Sequence, residues 1–220
     1  MKKHLLFASL LISSFAFAQN KTSFNIKAGV VNAGIKGEAS SSLNDVIDYT
    51  GGMVTTLNRT GFFAGGGIQI PVTDQISIEP GVSYTQRGYE VKGGISLKNI
   101  DFLGVNAKAQ LTSHYIDIPL LVKADLGGFQ VFAGPQVSYL AQADLRTTAG
   151  ALGFNVLNKT MDATEQMNRW DAGLTGGIGY QFGNGFQVMA AYDHGLTKLD
   201  ANRNMDAYNR SFKAGVGFRF

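Results

Sequence analysis

The chain has 220 residues, 45% hydrophobic and only 16% charged, with 28 glycines, 4 prolines and no cysteine. The length suits one domain with a sizeable core or one mid-sized barrel. The charged fraction lies well below the roughly 25% of soluble domains. The lack of cysteine excludes a disulfide framework, a thiolate metal site and a thiol nucleophile.

The chain opens MKKHLLFASLLISSFAFAQN. Lys2, Lys3 and His4 form a charged start, Leu5 to Phe15 an apolar stretch, and Ala16-Phe17-Ala18 a small-residue cleavage pattern. Together they predict a signal peptide over residues 1–18, cut after Ala18. The apolar run is too short for the roughly 20 residues of a membrane helix. No cysteine follows the cut, so a lipoprotein is excluded. Removing Lys2 and Lys3 takes two of the 19 basic residues against 16 acidic ones, and the net charge of +3 falls towards neutrality. No nucleic-acid partner is expected from that balance.

No later run is long and apolar enough for a helical span. Residues 19–220 instead alternate with period two. Phe24, Ile26, Ala28 and Val30 oppose Asn25 and Lys27; Phe62, Ala64, Gly66, Ile68 and Ile70 follow the same rule. Ile76, Ile78, Pro80, Val82 and Tyr84 oppose Ser77, Glu79, Ser83, Thr85 and Arg87. Ile116, Ile118, Leu120 and Val122 oppose Asp117 and Lys123; Val131, Ala133, Pro135, Val137 and Tyr139 oppose Gln130, Gln136 and Ser138. The pattern recurs with Trp170 to Phe182, Phe186 to Tyr192 and Phe212 to Phe220. Eight strands are predicted, each long enough to cross a bilayer at a tilt.

Short and long connections alternate. Residues 71–75, 126–128 and 183–185 are short and rich in turn formers. Residues 35–59, 90–113, 144–168 and 195–210 are long. The third and fourth strands have room to project past the membrane as a hairpin. This is the pattern of a single eight-stranded antiparallel up-and-down transmembrane β-barrel, with periplasmic turns and external loops. In such a barrel the apolar face meets lipid, and the small and polar face fills the interior. Glycine and amide enrichment of the polar face favours this over a soluble lipocalin-like binder with an apolar interior. Aromatics at both ends of the stripes form two girdles. Phe24, Phe129, Phe182, Phe186 and Phe220 mark the periplasmic end; Phe62, Tyr84, Tyr139, Trp170, Tyr192 and Phe212 mark the external end.

IEPGVSYTQRG, YIDIPLLVKADLGGFQVFAGPQVSYL, DAGLTGGIGYQF, AAYDHGLTKL and GVGFRF resemble the outer-membrane β-barrel family often called PorT-like. The most specific pieces are Tyr115 to Pro119 and the FAGP of Phe132 to Pro135. The resemblance implies fold and location in a Gram-negative envelope, and no shared catalytic motif. It also implies that the terminal aromatics Phe218 and Phe220 address the barrel-assembly machinery.

Weighing the candidates for chemistry leaves no catalytic, cofactor-binding or metal residue. GLTGGIG at 173–179 lacks the helix and Lys-Ser/Thr of a phosphate loop. His114 and His194 stand apart with no metal spacing, and Asp193 and His194, adjacent on a strand, face opposite ways. A rim enzyme would need a clustered nucleophile and base. The sequons at Asn20, Asn58, Asn158 and Asn209 read as unused surface asparagines. The informative set is the interior charges Lys27, Glu79, Arg87, Asp117, Lys123, Asp171, Asp193, Lys213 and Arg219, which are expected to neutralise one another. The expectation is a non-enzymatic surface protein with a filled lumen. Its partners are membrane lipid, the assembly machinery and an unidentified contact at the loops.

Overall fold

The computed structural model describes residues 22–36, 54–97, 100–151, 154–202 and 206–220. The signal peptide and the sequon at Asn20 lie outside these residues. Nine strands follow in order: β1 (Ser23–Lys36), β2 (Val54–Pro71), β3 (Ile76–Leu97), β4 (Ile100–Leu126), β5 (Phe129–Ala151), β6 (Phe154–Asp162), β7 (Trp170–Gln181), β8 (Phe186–Lys198) and β9 (Tyr208–Arg219). Eight of them close an antiparallel ring, β1-β2-β3-β4-β5-β7-β8-β9, in which β9 returns to pair with β1. The last residue is part of the closure: the Phe220 amide donates to the Phe24 carbonyl at 2.8 Å.

The three short turns carry the backbone shapes their residues favour. Gly127 and Gly128, with φ of 74° and 95°, join β4 to β5 as a two-residue primed turn. At the β7–β8 turn the Gly185 amide donates to the Phe182 carbonyl, and Gly185 has φ of 88°. This is a three-residue hairpin loop closed by a left-handed glycine. At the β2–β3 turn the Thr73 hydroxyl oxygen accepts from the Ile76 amide at 2.9 Å.

The strand count differs from the eight expected. β6 lies outside the ring and pairs with β5 alone, from Asp144↔Asp162 to Ala151↔Phe154. Residues 144–168, read as a loop, therefore hold the end of β5, all of β6 and a short 3-10 turn at Thr164–Gln166. The cause is length. A tilted spanning strand needs about 9–11 residues, whereas β3, β4 and β5 run 22, 27 and 23. Their excess continues beyond the external girdle, where β6 adds to it. The β3–β4 hairpin projects in this way, out to the pair Leu97↔Ile100.

The faces sort as a membrane barrel requires. Phe24, Ile26, Val82, Ile118, Trp170 and Phe212 are among the exposed apolar residues, whereas Asn25, Gln69, Thr85, Gln136, Ser138 and Gln187 are buried. A soluble binder with a dry apolar interior is the reverse of this arrangement. Aromatic pairs mark both ends of the apolar band. Phe62–Tyr84 (5.4 Å), Tyr139–Trp170 (5.0 Å) and Tyr192–Phe212 (4.7 Å) lie at the external end. Tyr180–Phe182 (4.9 Å) and Phe218–Phe220 (5.1 Å) lie at the other.

Candidate functional site: the filled lumen

The interior charges divide into two groups. Near the periplasmic end, Glu79 on β3 accepts from Lys123 of β4 at 2.8 Å and also pairs with Lys27 of β1. Glu79 and Lys123 are buried; Lys27 is partly exposed. Strand pairing places these residues together, because Lys123 faces Ser77 across β3–β4, one inward step below Glu79. Arg219 stays apart: it is half-exposed near the rim, and no described carboxylate lies within 4.0 Å of it.

The larger group lies nearer the external end. Asp117 on β4 is fully buried and accepts from Thr85 at 2.7 Å, Arg87 at 2.8 Å and Lys213 at 3.2 Å. Lys213 on β9 also meets Asp193 at 2.7 Å, which accepts from the Ser211 hydroxyl at 3.0 Å. Arg87 lies 3.6 Å from Asp193 and 3.8 Å from Asp171, with its guanidinium over the Tyr115 ring. Asn209 donates to Asp171 at 2.7 Å. Asn209, read from sequence as a surface sequon, is thus a buried part of the network. Its odd position on β9 points it inward with Ser211 and Lys213. Asn58 and Asn158 are exposed.

The upper group holds two cations and three carboxylates, the lower group two cations and one. Each imbalance is one charge, and the signs are opposite. Between them lies an apolar layer of Leu121, Phe132 and Ala191, with Met189 packed against it. The rings fit because glycines face them. A Cβ on Gly177 would approach the Phe132 ring to 2.7 Å, and one on Gly215 would approach the Phe63 ring to 2.7 Å. Between the groups lies a cavity of about 70 Å³, lined by Lys27 on one side and Lys213 on the other.

A small apolar cluster lies at the external end. Tyr115, Leu140 and Ala143 are buried together, and Leu111, Ala163 and Met167 pack on them. Residues 163–169 lead into β7 between the extended end of β5 and the end of β8. The Ala163 amide donates to the Ala143 carbonyl, the Leu140 amide to the Arg169 carbonyl, and the Asn168 amide to the Leu199 carbonyl. The Thr164 hydroxyl oxygen accepts from the Ala143 amide at 3.0 Å.

Asp193 and His194 do face opposite ways: Asp193 is buried in the network and His194 is exposed. His114 is not alone, however. It bonds the Tyr84 hydroxyl at 2.5 Å and lies 4.0 Å from Asp144, on the outer face. Outward alternation of Tyr84 and His114 was visible in the sequence, but the pairing that joins them was not. Beyond the membrane, Glu90 is held between Lys92 (3.0 Å) and Lys108 (2.7 Å). Desolvation would raise its pKa, but the bonds and charges of Lys108 and Lys92 outweigh this and hold it below the usual carboxylate range. Among the described residues no group of three or more His, Cys, Asp or Glu is placed to hold a metal.

A closed ring of eight antiparallel strands, apolar outside, girdled at both ends and packed with paired charges, defines an integral β-barrel of the bacterial outer membrane. The chain belongs to the outer membrane protein beta-barrel domain family, whose model matches residues 17–201. Several solved outer-membrane barrels resemble it, three of them as follows. Neisserial surface protein A is 13% identical, with a TM-score of 0.44, covering 91% of this chain and 98% of its own. Ail, the attachment invasion locus protein of Yersinia pestis, crystallised with a heparin analogue, is 14% identical, with a TM-score of 0.43, covering 91% and 100%. OprG from Pseudomonas aeruginosa is 12% identical, with a TM-score of 0.42, covering 90% and 95%. No curated protein matches the chain.

Proposed function

We propose that this protein is a non-enzymatic surface component of a Gram-negative envelope, of the PorT-like branch, that acts through its external sheet and not through its lumen. The observation that carries this reading is the filled interior. Two paired charge groups and an apolar layer occupy the described interior, with a cavity of about 70 Å³ between them. An eight-stranded barrel has room inside for side chains and little else. The contact surface is then the extension of β3, β4 and β5 with β6, which stands clear of the membrane. On this reading residues 1–18 are the export signal, and Phe218 and Phe220 present the closing strand to the assembly machinery.

Protease added to intact cells tests the surface role. Cleavage is expected within residues 90–110 and 145–169, with the turns at 71–76 and 182–186 protected. Cuts at those short turns in intact cells would reverse the orientation and remove the reading.

A further inference from the structure

The upper charge group is one positive charge short. Asp117, Asp171 and Asp193 share two cations, Arg87 and Lys213. Among the described residues no other Lys, Arg or His nitrogen lies within 4.0 Å of these carboxylates. The spare positive charge of the lower group is too far away to pair with them. Lys213 faces Val31 on β1, four residues along from Lys27, which is roughly 13 Å of strand. Leu121, Phe132 and Ala191 lie between the two groups. A buried carboxylate without a counter-charge is costly, and an acid so placed takes up a proton instead.

The contacts single out one acid. Asp117 accepts from Arg87 at 2.8 Å, from Thr85 at 2.7 Å and from Lys213 at 3.2 Å. Asp193 has the Lys213 ammonium at 2.7 Å and the Ser211 hydroxyl at 3.0 Å. Asp171 has no cation at hydrogen-bond distance. Its Oδ2 stands 3.8 Å from Arg87 and accepts at 2.7 Å from the neutral amide of Asn209. Its Oδ1 is buried and has no hydrogen-bond partner among the described residues. Asp171 is only 5% exposed, so bulk water does not screen it.

The strands around Asp171 supply nothing further to neutralise it. It opposes Ser138 of β5, and Gly195 of β8 lies against its Oδ2. Arg87 of β3, Tyr115 and Asp117 of β4 and Asn209 of β9 face it across the interior. Asp193 of β8 and Lys213 of β9 complete the group. The one cation against Asp171 is therefore Arg87, which Asp117 and Asp193 share. The three acids are not placed as a metal site, since no group of three or more His, Cys, Asp or Glu among the described residues is. The missing charge is then a proton.

We propose that the folded barrel holds one proton on the Asp171 carboxyl, at Oδ1, at neutral pH. That proton lets three acids and two cations pack below the external apolar cluster, to which Asn209 links them through the Tyr115 hydroxyl at 3.4 Å. Its loss in alkali would set three carboxylates against two cations there and loosen the external end.

The test is infrared spectroscopy of the purified, folded barrel in detergent, which separates the carbonyl stretch of a protonated carboxyl from the bands of carboxylates. At neutral pH the wild type should show one protonated carboxyl, Glu90→Gln should keep it and Asp171→Asn should lack it. Denaturant unfolding gives a second readout. Asp171→Asn should be at least as stable as the wild type at neutral pH, because the amide is neutral without binding a proton. Asp117→Asn strips Arg87 and Lys213 of their shared acid, and its folding equilibrium should fall by at least about 100-fold. The unfolded carboxyl releases its proton above about pH 3.9, whereas the folded one keeps it. The folding equilibrium of the wild type relative to Asp171→Asn should therefore fall by up to about tenfold per pH unit above that value. A wild-type spectrum without a protonated carboxyl at neutral pH, or a band that survives in Asp171→Asn, would overturn the proposal. So would an Asp171→Asn as damaged as Asp117→Asn, or a wild-type-to-variant ratio that follows sodium concentration in place of pH.

Discussion

Replacing Glu79 with alanine probes the lower charge group at its only acid. Glu79 is 3% exposed and contacts two ammonium groups, of which Lys123 is 4% and Lys27 17% exposed. Removing the carboxylate leaves Lys123 buried without a counter-charge, while Lys27 retains some access to water. Breaking a buried pair from one side costs about 3–5 kcal/mol. An exposed pair such as Lys92–Glu90 is worth about 0–1 kcal/mol. The folding equilibrium of Glu79→Ala should therefore fall by at least about 100-fold, and that of Glu90→Ala, which loses two such exposed pairs, by less than about 30-fold. Adding Lys123→Met to Glu79→Ala should recover much of the loss, because it removes the orphaned charge. Reversible denaturant unfolding in detergent micelles, followed by the mobility difference between heated and unheated samples, reads all four proteins. An unchanged midpoint for Glu79→Ala, or a double variant no better than the single, would refute the reasoning.

Three further outcomes follow from other parts of the fold. Phe132→Ala empties the apolar layer opposite Gly177 and should cost about 3–5 kcal/mol in the same unfolding assay. Phe220→Ala should lower the folded fraction recovered from outer membranes while leaving refolding of the pure protein into detergent unchanged. Glu90 has a lowered pKa in the folded state, so its contribution is present above the unfolded carboxylate pKa of about 4.3 and is lost as pH falls through the folded value. Amide exchange across the β3–β4 hairpin, corrected for intrinsic rates, should therefore accelerate as pH drops below about 4.

The barrel was legible because a spanning strand writes its two environments into alternate residues. Tyr84 already stood on the opposite face from Thr85 and Arg87 in the sequence. Glu79 and Lys123 were legible as neighbours because the short turns 71–75 and 126–128 fix the level of each on sequential strands. What escaped notice depended on departures from alternation. Phe62-Phe63, Leu120-Leu121, Val131-Phe132 and Val188-Met189 are doubled apolar residues. In each pair one side chain faces lipid, and Phe63, Leu121, Phe132 and Met189 line the lumen. Those doublets were the signal for the apolar layer. β6 was hidden because Phe154 to Asp162 lies above the membrane, where no lipid face enforces a period. The Tyr84–His114–Asp144 contact depended on register and on the β5 irregularity beside Leu140, which pattern alone does not reveal.

Electrical recording from planar bilayers containing the pure protein tests the filled lumen most directly. Two charge groups with an apolar layer between them predict no stable open channel at any applied voltage that leaves the bilayer intact. Regular, long-lived conductance steps of porin size from the folded barrel would contradict the account.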